Sequence, residues 1–505
     1  MNKKALGVVF SYLLIVVDIL VALLFVPYLL NSLGEDEDGL YRLLYSTASY
    51  LAVLDFGLGG TITRYVVKFK TEGNLQKQEN FVAMGLVIYG LLALATMVAA
   101  VVIAVIIPTM YAASIPQAQM GQAQLIFLIL CLTHALTLFS HAYSGLFSAY
   151  ERFTYSKASN IMRILLRVVL IIGGLQFFRS ALLVATVDLL LTVGLLIQHM
   201  LYARYSVKCR IKLHKWDGAL AKEALVFTSA ILIQSIVNQF NTNVANVVLG
   251  IYSTTAVIAM YSLVLQMYNM YSGFSTAIST VYLPSISATV FKGADDQAVT
   301  AKVIEPSRIQ TVILLLAASG FILFGRDFIV LWVGEGYEEV YLLTCILMIT
   351  SLLNLSQNTI TSVLKAKNKL HGKSLILAAS TAVNFGLTLL LVPRLGALGA
   401  VIGSSFSLVF GYGLALNIYY HKVIHINMFT FYRKTYKGIV PATLLCMLVG
   451  IGINYLVPMG GWVGFLLEAG IYVAVFAVVM YFLGLNQGEK AMVHKALRKF
   501  GIGRK

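Results

Sequence analysis

Charged side chains are scarce in this sequence. Only 11% of its 505 residues are Asp, Glu, Lys or Arg, whereas 59% are hydrophobic, and the mean hydropathy is +0.84. A water-soluble chain of this length would need far more charge to cover its surface, so the apolar excess must face lipid. The composition therefore predicts an integral membrane protein.

Cysteine is nearly absent, and it is scattered where it occurs. The four cysteines form no CxxC pair and no cluster with histidine, so neither a disulfide framework nor a zinc site is indicated. They are Cys131, Cys209, Cys345 and Cys446. The sequence also lacks a Walker A motif, a Ser/His/Asp arrangement and any long segment between its apolar runs. We expect a protein that is not an enzyme, with no catalytic residue, no metal and no cofactor.

Long apolar runs account for most of the chain. Residues 81–107 and 463–484 are examples that are long enough to cross ~30 Å of hydrocarbon as helices, and strand-like alternation is absent. We predict an all-α polytopic membrane protein of about fourteen spans. The predicted spans are residues 7–30, 40–66, 81–107, 123–149, 159–178, 181–203, 224–249, 256–284, 309–332, 340–364, 374–393, 397–419, 438–457 and 463–484.

Positive charge alternates along the chain, because every second loop is basic and the others are neutral or acidic. Basic loops mark the cytoplasmic side of a membrane protein. We therefore place both termini in the cytoplasm and the acidic stretch Glu35–Asp38 on the outer side of the cell inner membrane. This topology, with membrane lipids as partners, explains the net charge of +16, so we predict no nucleic-acid binding.

The second half of the chain resembles the first when the sequence is shifted by about 217 residues. The shift places Gly145–Phe153 on Ser362–Leu370, and both segments leave a span for a basic loop. Hydropathy alone can also produce such a match. Six spans per half give a parallel repeat, as in transporters whose two lobes rock about a central site. We predict an N-lobe at residues 1–215, a C-lobe at 216–436, and an additional helix pair with a basic tail at 437–505.

Residues 54–65, which read LDFGLGGTITRY, resemble a segment of Wzx-type polysaccharide flippases when taken with the repeat and the span number. These flippases belong to the multidrug/oligosaccharidyl-lipid/polysaccharide exporter superfamily. The resemblance implies a transporter that flips undecaprenyl-diphosphate-linked oligosaccharide by alternating access during O-antigen, capsule or exopolysaccharide synthesis. It also implies polysaccharide polymerase or assembly proteins as partners.

The same superfamily contains MATE-type drug exporters and peptidoglycan-precursor flippases, so the fold does not select the cargo. One alternative is therefore a MATE-like, cation-coupled drug exporter. Another is a membrane scaffold that does not transport but holds a polysaccharide assembly complex together. Substitution of cavity charges would separate these functions, because a scaffold does not need them.

Ionisable residues at membrane depth are costly, so each is a functional candidate. We expect Arg163, Arg167 and Arg64 to line a cavity and attract the diphosphate, which guanidinium groups match in geometry. Asp18 and Asp188 either pair with these arginines or bind Na⁺ or H⁺. Arg64 alternatively extends to the lipid headgroups. The shifted alignment places uncharged residues opposite these positions, so the charges belong to the first half of the chain.

Polar uncharged residues also occur inside the spans. Asn238 and Asn241 on span seven either line the cavity and bind sugar hydroxyls or hydrogen-bond one helix to another. His134 and His141 on span four are either proton relays or packing residues. We expect Asp55 to cap the glycine-rich break in span two.

Overall fold

Helices form this fold, because hydrocarbon offers backbone groups no hydrogen-bonding partner and each span must satisfy its own. The computed structural model describes residues 3–55, 57–207, 209–367, 369–456 and 460–499, and no strand occurs in these ranges. The predicted all-α class is confirmed. The helices in the described ranges are α1 (Lys3–Leu33), α2 (Glu35–Leu51), α3 (Leu58–Thr71), α4 (Leu75–Met110), α5 (Met120–Ala149), α6 (Phe153–Leu175), α7 (Ala181–Tyr202), α8 (Gly218–Tyr252), α9 (Thr255–Phe291), α10 (Asp296–Val333), α11 (Glu338–Ser356), α12 (Ile360–Ala366), α13 (Leu370–Phe406), α14 (Leu416–Val423), α15 (Met428–Tyr436), α16 (Ile439–Leu456), α17 (Gly461–Val479) and α18 (Gln487–Lys499).

Many of these helices are long and apolar enough to cross a membrane. The described residues contain ten such segments, or eleven if the bent pair Val17–Leu33 and Glu35–Leu51 is one span. One segment, Leu370–Val423, has 54 residues, whereas about 20 suffice to cross the bilayer, and it is interrupted at Gly396, whose φ is +53°. The protein is thus an integral membrane protein, while the number of fourteen spans stays a prediction.

The second predicted span, residues 40–66, begins earlier than predicted, and it is interrupted where the glycine-rich break was expected. α2 already begins at Glu35, after a bend of 116° at Gly34, and the Glu35–Asp38 carboxylates form its first turn. Negative charge there is favourable because it faces the positive end of the helix dipole. The stretch then breaks after a 3₁₀ turn at Ala52–Asp55.

Short polar side chains begin several of the helices. Asn74, Ser180, Asp217, Asp295 and Asn427 each accept a hydrogen bond from a backbone N–H two or three residues further on. Such caps satisfy backbone donors that have no partner within the helix. The caps therefore mark the residues at which the loops end and the next helices begin.

The chain folds into two compact units. The first comprises Met1–Ser262 and Phe385–Ala400, and the second comprises Leu263–Asn384 and Val401–Lys505. The first unit contains α1 to α8, and the second contains α10 to α12 and α14 to α18, while α9 and α13 contribute to both. The domain bounds given above stay a prediction.

Helix boundaries recur at the spacing of the sequence repeat. α5 ends at Ala149 and α6 begins at Phe153, and 217 residues later α12 ends at Ala366 and α13 begins at Leu370. The two copies differ in one respect, because α5 is continuous whereas α11 and α12 are separated by residues 357–359. This recurrence supports a duplicated helical plan.

In the first unit, α2 packs closely on α8 and on the start of α9. A side chain at Gly39 would overlap the backbone carbonyl of Thr255, and the Thr255 hydroxyl hydrogen-bonds Asp36 at 2.7 Å. Further along, the Asn246 amide donates to the Ser46 hydroxyl at 2.9 Å. Small residues and interhelical hydrogen bonds are the usual means by which helices associate in lipid.

In the second unit, one buried arginine joins the C-terminal helices to α10. Arg308 forms a bidentate ion pair with Glu489 of α18, at 2.6 and 3.1 Å, and both side chains are 7% exposed. Its remaining donors bond the backbone carbonyls of Lys434, Lys437 and Gly484. A buried charge is tolerated when it is paired and hydrogen-bonded in this way.

We predict that Glu489→Gln lowers the melting temperature of the purified protein markedly. The change leaves the buried Arg308 guanidinium without a counter-charge, a loss worth about 3–5 kcal/mol in buried pairs. The control is Glu305→Gln, because Glu305 pairs with Lys302 at 3.3 Å on the surface. There we expect about 0–1 kcal/mol. Equal shifts in the two variants would contradict the prediction.

Candidate functional site

Three helices of the first unit meet at one hydrogen-bonded cluster. Arg167 of α6 and Asp188 of α7 form a bidentate ion pair, with Nε–Oδ1 and Nη2–Oδ2 distances of 2.6 and 3.1 Å. The Tyr41 hydroxyl of α2 donates to Asp188 at 2.7 Å and lies 3.3 Å from Nη2 of Arg167. The Arg167 and Asp188 side chains are 26% and 14% exposed. The sequence predicted both residues, and the structure brings them together.

Two further aromatic groups surround this ion pair. The guanidinium carbon of Arg167 lies 5.9 Å from the centre of the Phe25 ring of α1. On α5, the His134 ring lies 5.7 Å from the Tyr45 ring, and its buried Nε2 has no hydrogen-bond partner among the described residues. The Arg167–Asp188 ion pair is neutral as a whole. Arg167 therefore presents little net charge as long as it is paired with Asp188.

Arg163, one helical turn before Arg167, has a different environment. Its Nε is buried and makes no hydrogen bond in the described part of the chain. Asp18 of α1 is exposed and interacts electrostatically with Arg163, without a hydrogen bond between them in the described residues. Arg163 therefore keeps a guanidinium donor without a partner among the described residues.

Arg64 lies on α3, after the break in the second span. Its side chain is exposed, and its guanidinium carbon lies 6.0 Å from the centre of the neighbouring Tyr65 ring. An exposed arginine stacked on a tyrosine suits either alternative, a cavity wall or the headgroup region. Its role in binding stays a prediction.

The amides of span seven divide into two groups. The side chains of Asn238 and Asn241 lie outside the described residues, so their predicted role in the cavity stays a prediction. Gln239 and Asn246 are described, and both hydrogen-bond α2, through Ser49 at 2.6 Å and Ser46 at 2.9 Å. For these two, the interpretation as bonds between helices is correct.

The prediction for Asp55 is wrong. The residue before α3 is Gly57, with φ of +68°, and no side chain caps this helix. Asp55 instead accepts a hydrogen bond from the Tyr89 hydroxyl at 2.8 Å and lies 3.0 Å from Nδ1 of His141. A carboxylate at membrane depth is better satisfied by partners on neighbouring helices than by a cap, because they also share its charge.

Two buried acidic residues of the second unit escaped the sequence interpretation. Glu468 is 4% exposed on α17, inside a predicted span, where its charge was a visible signal. Glu489 lies in the basic tail and could be found only through its contact with Arg308. Both residues lie in the second half of the chain, whereas the charges at membrane depth were expected in the first half.

The described residues contain no group of three or more His, Cys, Asp or Glu side chains that could hold a metal ion. All four cysteines are buried and unpaired with one another. Cys209 lies outside the spans, and burial raises the pKa of its thiol, so the thiolate that would react is disfavoured.

A family model described as "Polysaccharide biosynthesis protein" matches residues 6–290, which is more than half of the chain. No curated protein matches the chain in sequence.

Several solved transporters have a similar fold. "Lipid II flippase MurJ, inward closed conformation" has a TM-score of 0.73 at 15% identity, over 95% of this chain and 98% of that chain. An inward-facing multidrug resistance MATE family transporter of the MOP superfamily has a TM-score of 0.56 at 14% identity, over 77% and 92%. An outward-facing one reaches 0.51 at 14% identity, over 84% and 95%. At such identities the likeness concerns the fold alone.

We predict that Arg167 and Asp188 are energetically coupled. Arg167→Gln and Asp188→Asn should each lower the melting temperature, because each leaves the other partner unpaired, while the double variant should lose less than the sum. The expected coupling is about 0.5–3 kcal/mol. Asp18→Asn combined with Arg167→Gln is the control and should be additive. Additivity in both cycles would contradict the coupling.

Proposed function

The chain belongs to the polysaccharide biosynthesis protein family, and on this premise we propose that it carries undecaprenyl-diphosphate-linked oligosaccharide across the cytoplasmic membrane. The resemblance stated for residues 54–65 is confirmed at the level of family and fold. The likeness to a lipid II flippase supports a lipid-borne cargo. Transport proceeds by alternating access, for which the duplicated helical plan is suited.

The observation that carries this proposal is the pair of arginines one turn apart on α6. Arg163 and Arg167 share a helix face, and Nε of Arg163 is buried without a hydrogen-bond partner in the described residues. An unsatisfied cationic donor at membrane depth is costly unless a ligand meets it. Two planar guanidinium groups fit a diphosphate, which offers several acceptor oxygens.

Arg167 can bind this diphosphate through Nε and Nη2 only by exchanging partners. In the structure its Nε and Nη2 donate to Asp188, so a phosphate oxygen must replace the carboxylate. Asp188 then loses its counter-charge, which favours uptake of H⁺ or Na⁺. The exchange would couple the cargo to an ion, with Asp18 beside Arg163 as a second candidate for ion binding.

A cation-coupled drug exporter is the second candidate, because solved MATE transporters share this fold. A cationic drug would have to approach Arg163, which has no bidentate carboxylate partner in the described residues. Repulsion between like charges in a medium of low dielectric disfavours that cargo. The arginines thus favour an anionic cargo.

The proposal places the protein in the cell inner membrane with both termini in the cytoplasm. Its cargo is made on the cytoplasmic side and used on the other, so polysaccharide polymerase or assembly proteins are the partners expected there. The basic cytoplasmic loops contact anionic lipid.

The test is flipping of a fluorescent undecaprenyl-diphosphate glycan by the protein in liposomes, together with surface glycan in a flippase-null strain. We predict that Arg163→Ala and Arg167→Ala lower the flipping rate about 10- to 100-fold, the value of a charged hydrogen bond. Arg167→Lys should recover part of the rate, because it restores charge but not the planar fork. An imposed pH or Na⁺ gradient should change the rate of wild-type flipping, and the change should be smaller in the Asp188→Asn variant.

Arg179→Ala is the matched control, because Arg179 is an exposed arginine between α6 and α7, and its rate should equal that of wild type. Wild-type flipping by the Arg163 and Arg167 alanine variants would remove the diphosphate role. Export of a cationic drug without glycan flipping would favour the MATE-like function. Assembly of a polysaccharide complex without any transport would favour a scaffold.

A further inference from the structure

The break after α2 carries a cluster of polar groups that the cargo site does not use. The chain leaves α2 through a 3₁₀ turn that ends at Asp55, and it enters α3 through Gly57, whose φ of +68° suits glycine. An interruption of this kind in a membrane helix frees backbone groups and marks a place where the helix can move.

Side chains from two other helices hold the residue before this break. The Tyr89 hydroxyl of α4 donates to Oδ1 of Asp55 at 2.8 Å. Oδ2 of Asp55 lies 3.0 Å from Nδ1 of His141 on α5. The cluster therefore joins the end of the 3₁₀ turn to two flanking helices.

α3 lies against α5 with almost no side chain between them. A side chain at Gly145 would overlap the backbone carbonyl of Gly59, and the Thr63 hydroxyl donates to the Gly145 carbonyl at 2.9 Å. Small residues let two helix backbones approach this closely. The contact is next to the Asp55–His141 pair.

Few other ionisable groups surround this pair. α8, which also packs against the 3₁₀ turn, has no ionisable residue from Ala224 to Ile251. Tyr50 of α2 packs edge-on against Phe240, Arg64 of α3 is exposed, and His134 of α5 lies beside Tyr45. On α7, which packs on α5, Asp188 is paired with Arg167 and His199 lies against Phe147. Tyr89 is the group that α4 contributes. The charge at the break therefore depends on Asp55 and His141.

We propose that Asp55 and His141 form a proton-binding site that controls the break between α2 and α3. With a neutral imidazole the pair carries one negative charge, and one added proton on the imidazole makes it neutral overall. No other reactant is consumed, and release returns the proton to water. The side chains of His141 and Asp55 are 45% and 28% exposed, so neither is sealed inside the protein.

The proton and the conformation are linked by the cost of charge at membrane depth. A bare carboxylate is disfavoured there, so the packed break favours the loaded pair, whereas a break opened to water tolerates the unloaded one. By reciprocity, loading the proton stabilises the packed form. This site is separate from Arg167 and Asp188 and does not depend on the identity of the cargo.

Hydrogen exchange of the full chain in nanodiscs tests the proposal without any substrate. The measured quantity is the exchange rate of residues 50–62 between pH 5.5 and 8.5, corrected for the intrinsic pH dependence of exchange. We expect the corrected rate to rise about tenfold for each pH unit by which the pKa of the pair differs between packed and open forms. His141→Gln and Asp55→Asn should abolish this rise.

His134→Gln is the matched control, because it removes another histidine of α5 that has no carboxylate at hydrogen-bonding distance among the described residues, and the rise should persist in it. Tyr89→Phe keeps the ion pair and should retain a pH-dependent rise. If Asp55→Asn does not fold, His141→Gln decides. A pH-independent wild type, or an unchanged rise in His141→Gln, would overturn the proposal. If the wild-type protein does not flip the glycan but its exchange rate still rises with pH, the proposed function is refuted while the proton-binding site stands.

Discussion

The cost of charge in a medium of low dielectric is the constraint on which the rest of this structure depends. A charge that leaves water is costly unless it is paired, and the pairs formed here join different helices. Arg308–Glu489 joins α10 to α18, Arg167–Asp188 joins α6 to α7, and His141–Asp55 joins α5 to the break after α2. The same pairs therefore serve both packing and candidate function.

These pairs differ in exposure, and the difference suggests different roles. Arg308 and Glu489 are buried and bonded to backbone carbonyls, an arrangement that suits a fixed join. Arg167–Asp188 and His141–Asp55 are partly exposed, so protons, ions or phosphate can compete for their partners. A pair that water or ligand can reach is able to act as a switch, whereas a sealed pair holds one arrangement.

Prediction from sequence succeeded where the signal was local. Apolar runs indicated helices, the 217-residue repeat agrees with the helix boundaries around Ala149 and Ala366, and Arg167 and Asp188 were singled out by their charge at membrane depth. It failed for Asp55, because a glycine-rich break suggested a local cap while the partners come from α4 and α5. Contacts between distant residues leave no periodic pattern in a single sequence.

By itself, the sequence determined that this chain is an all-helical membrane protein, which helix-length apolar runs could form it, and which few charges needed partners. Those outcomes follow from composition and backbone hydrogen bonding, which act residue by residue. Only the tertiary structure decided that Arg167 pairs with Asp188 while Arg163 keeps an unsatisfied donor, and that Asp55 meets His141 across a break. The physical reason is that pairing depends on which helices are neighbours, and their packing is a property of the whole chain.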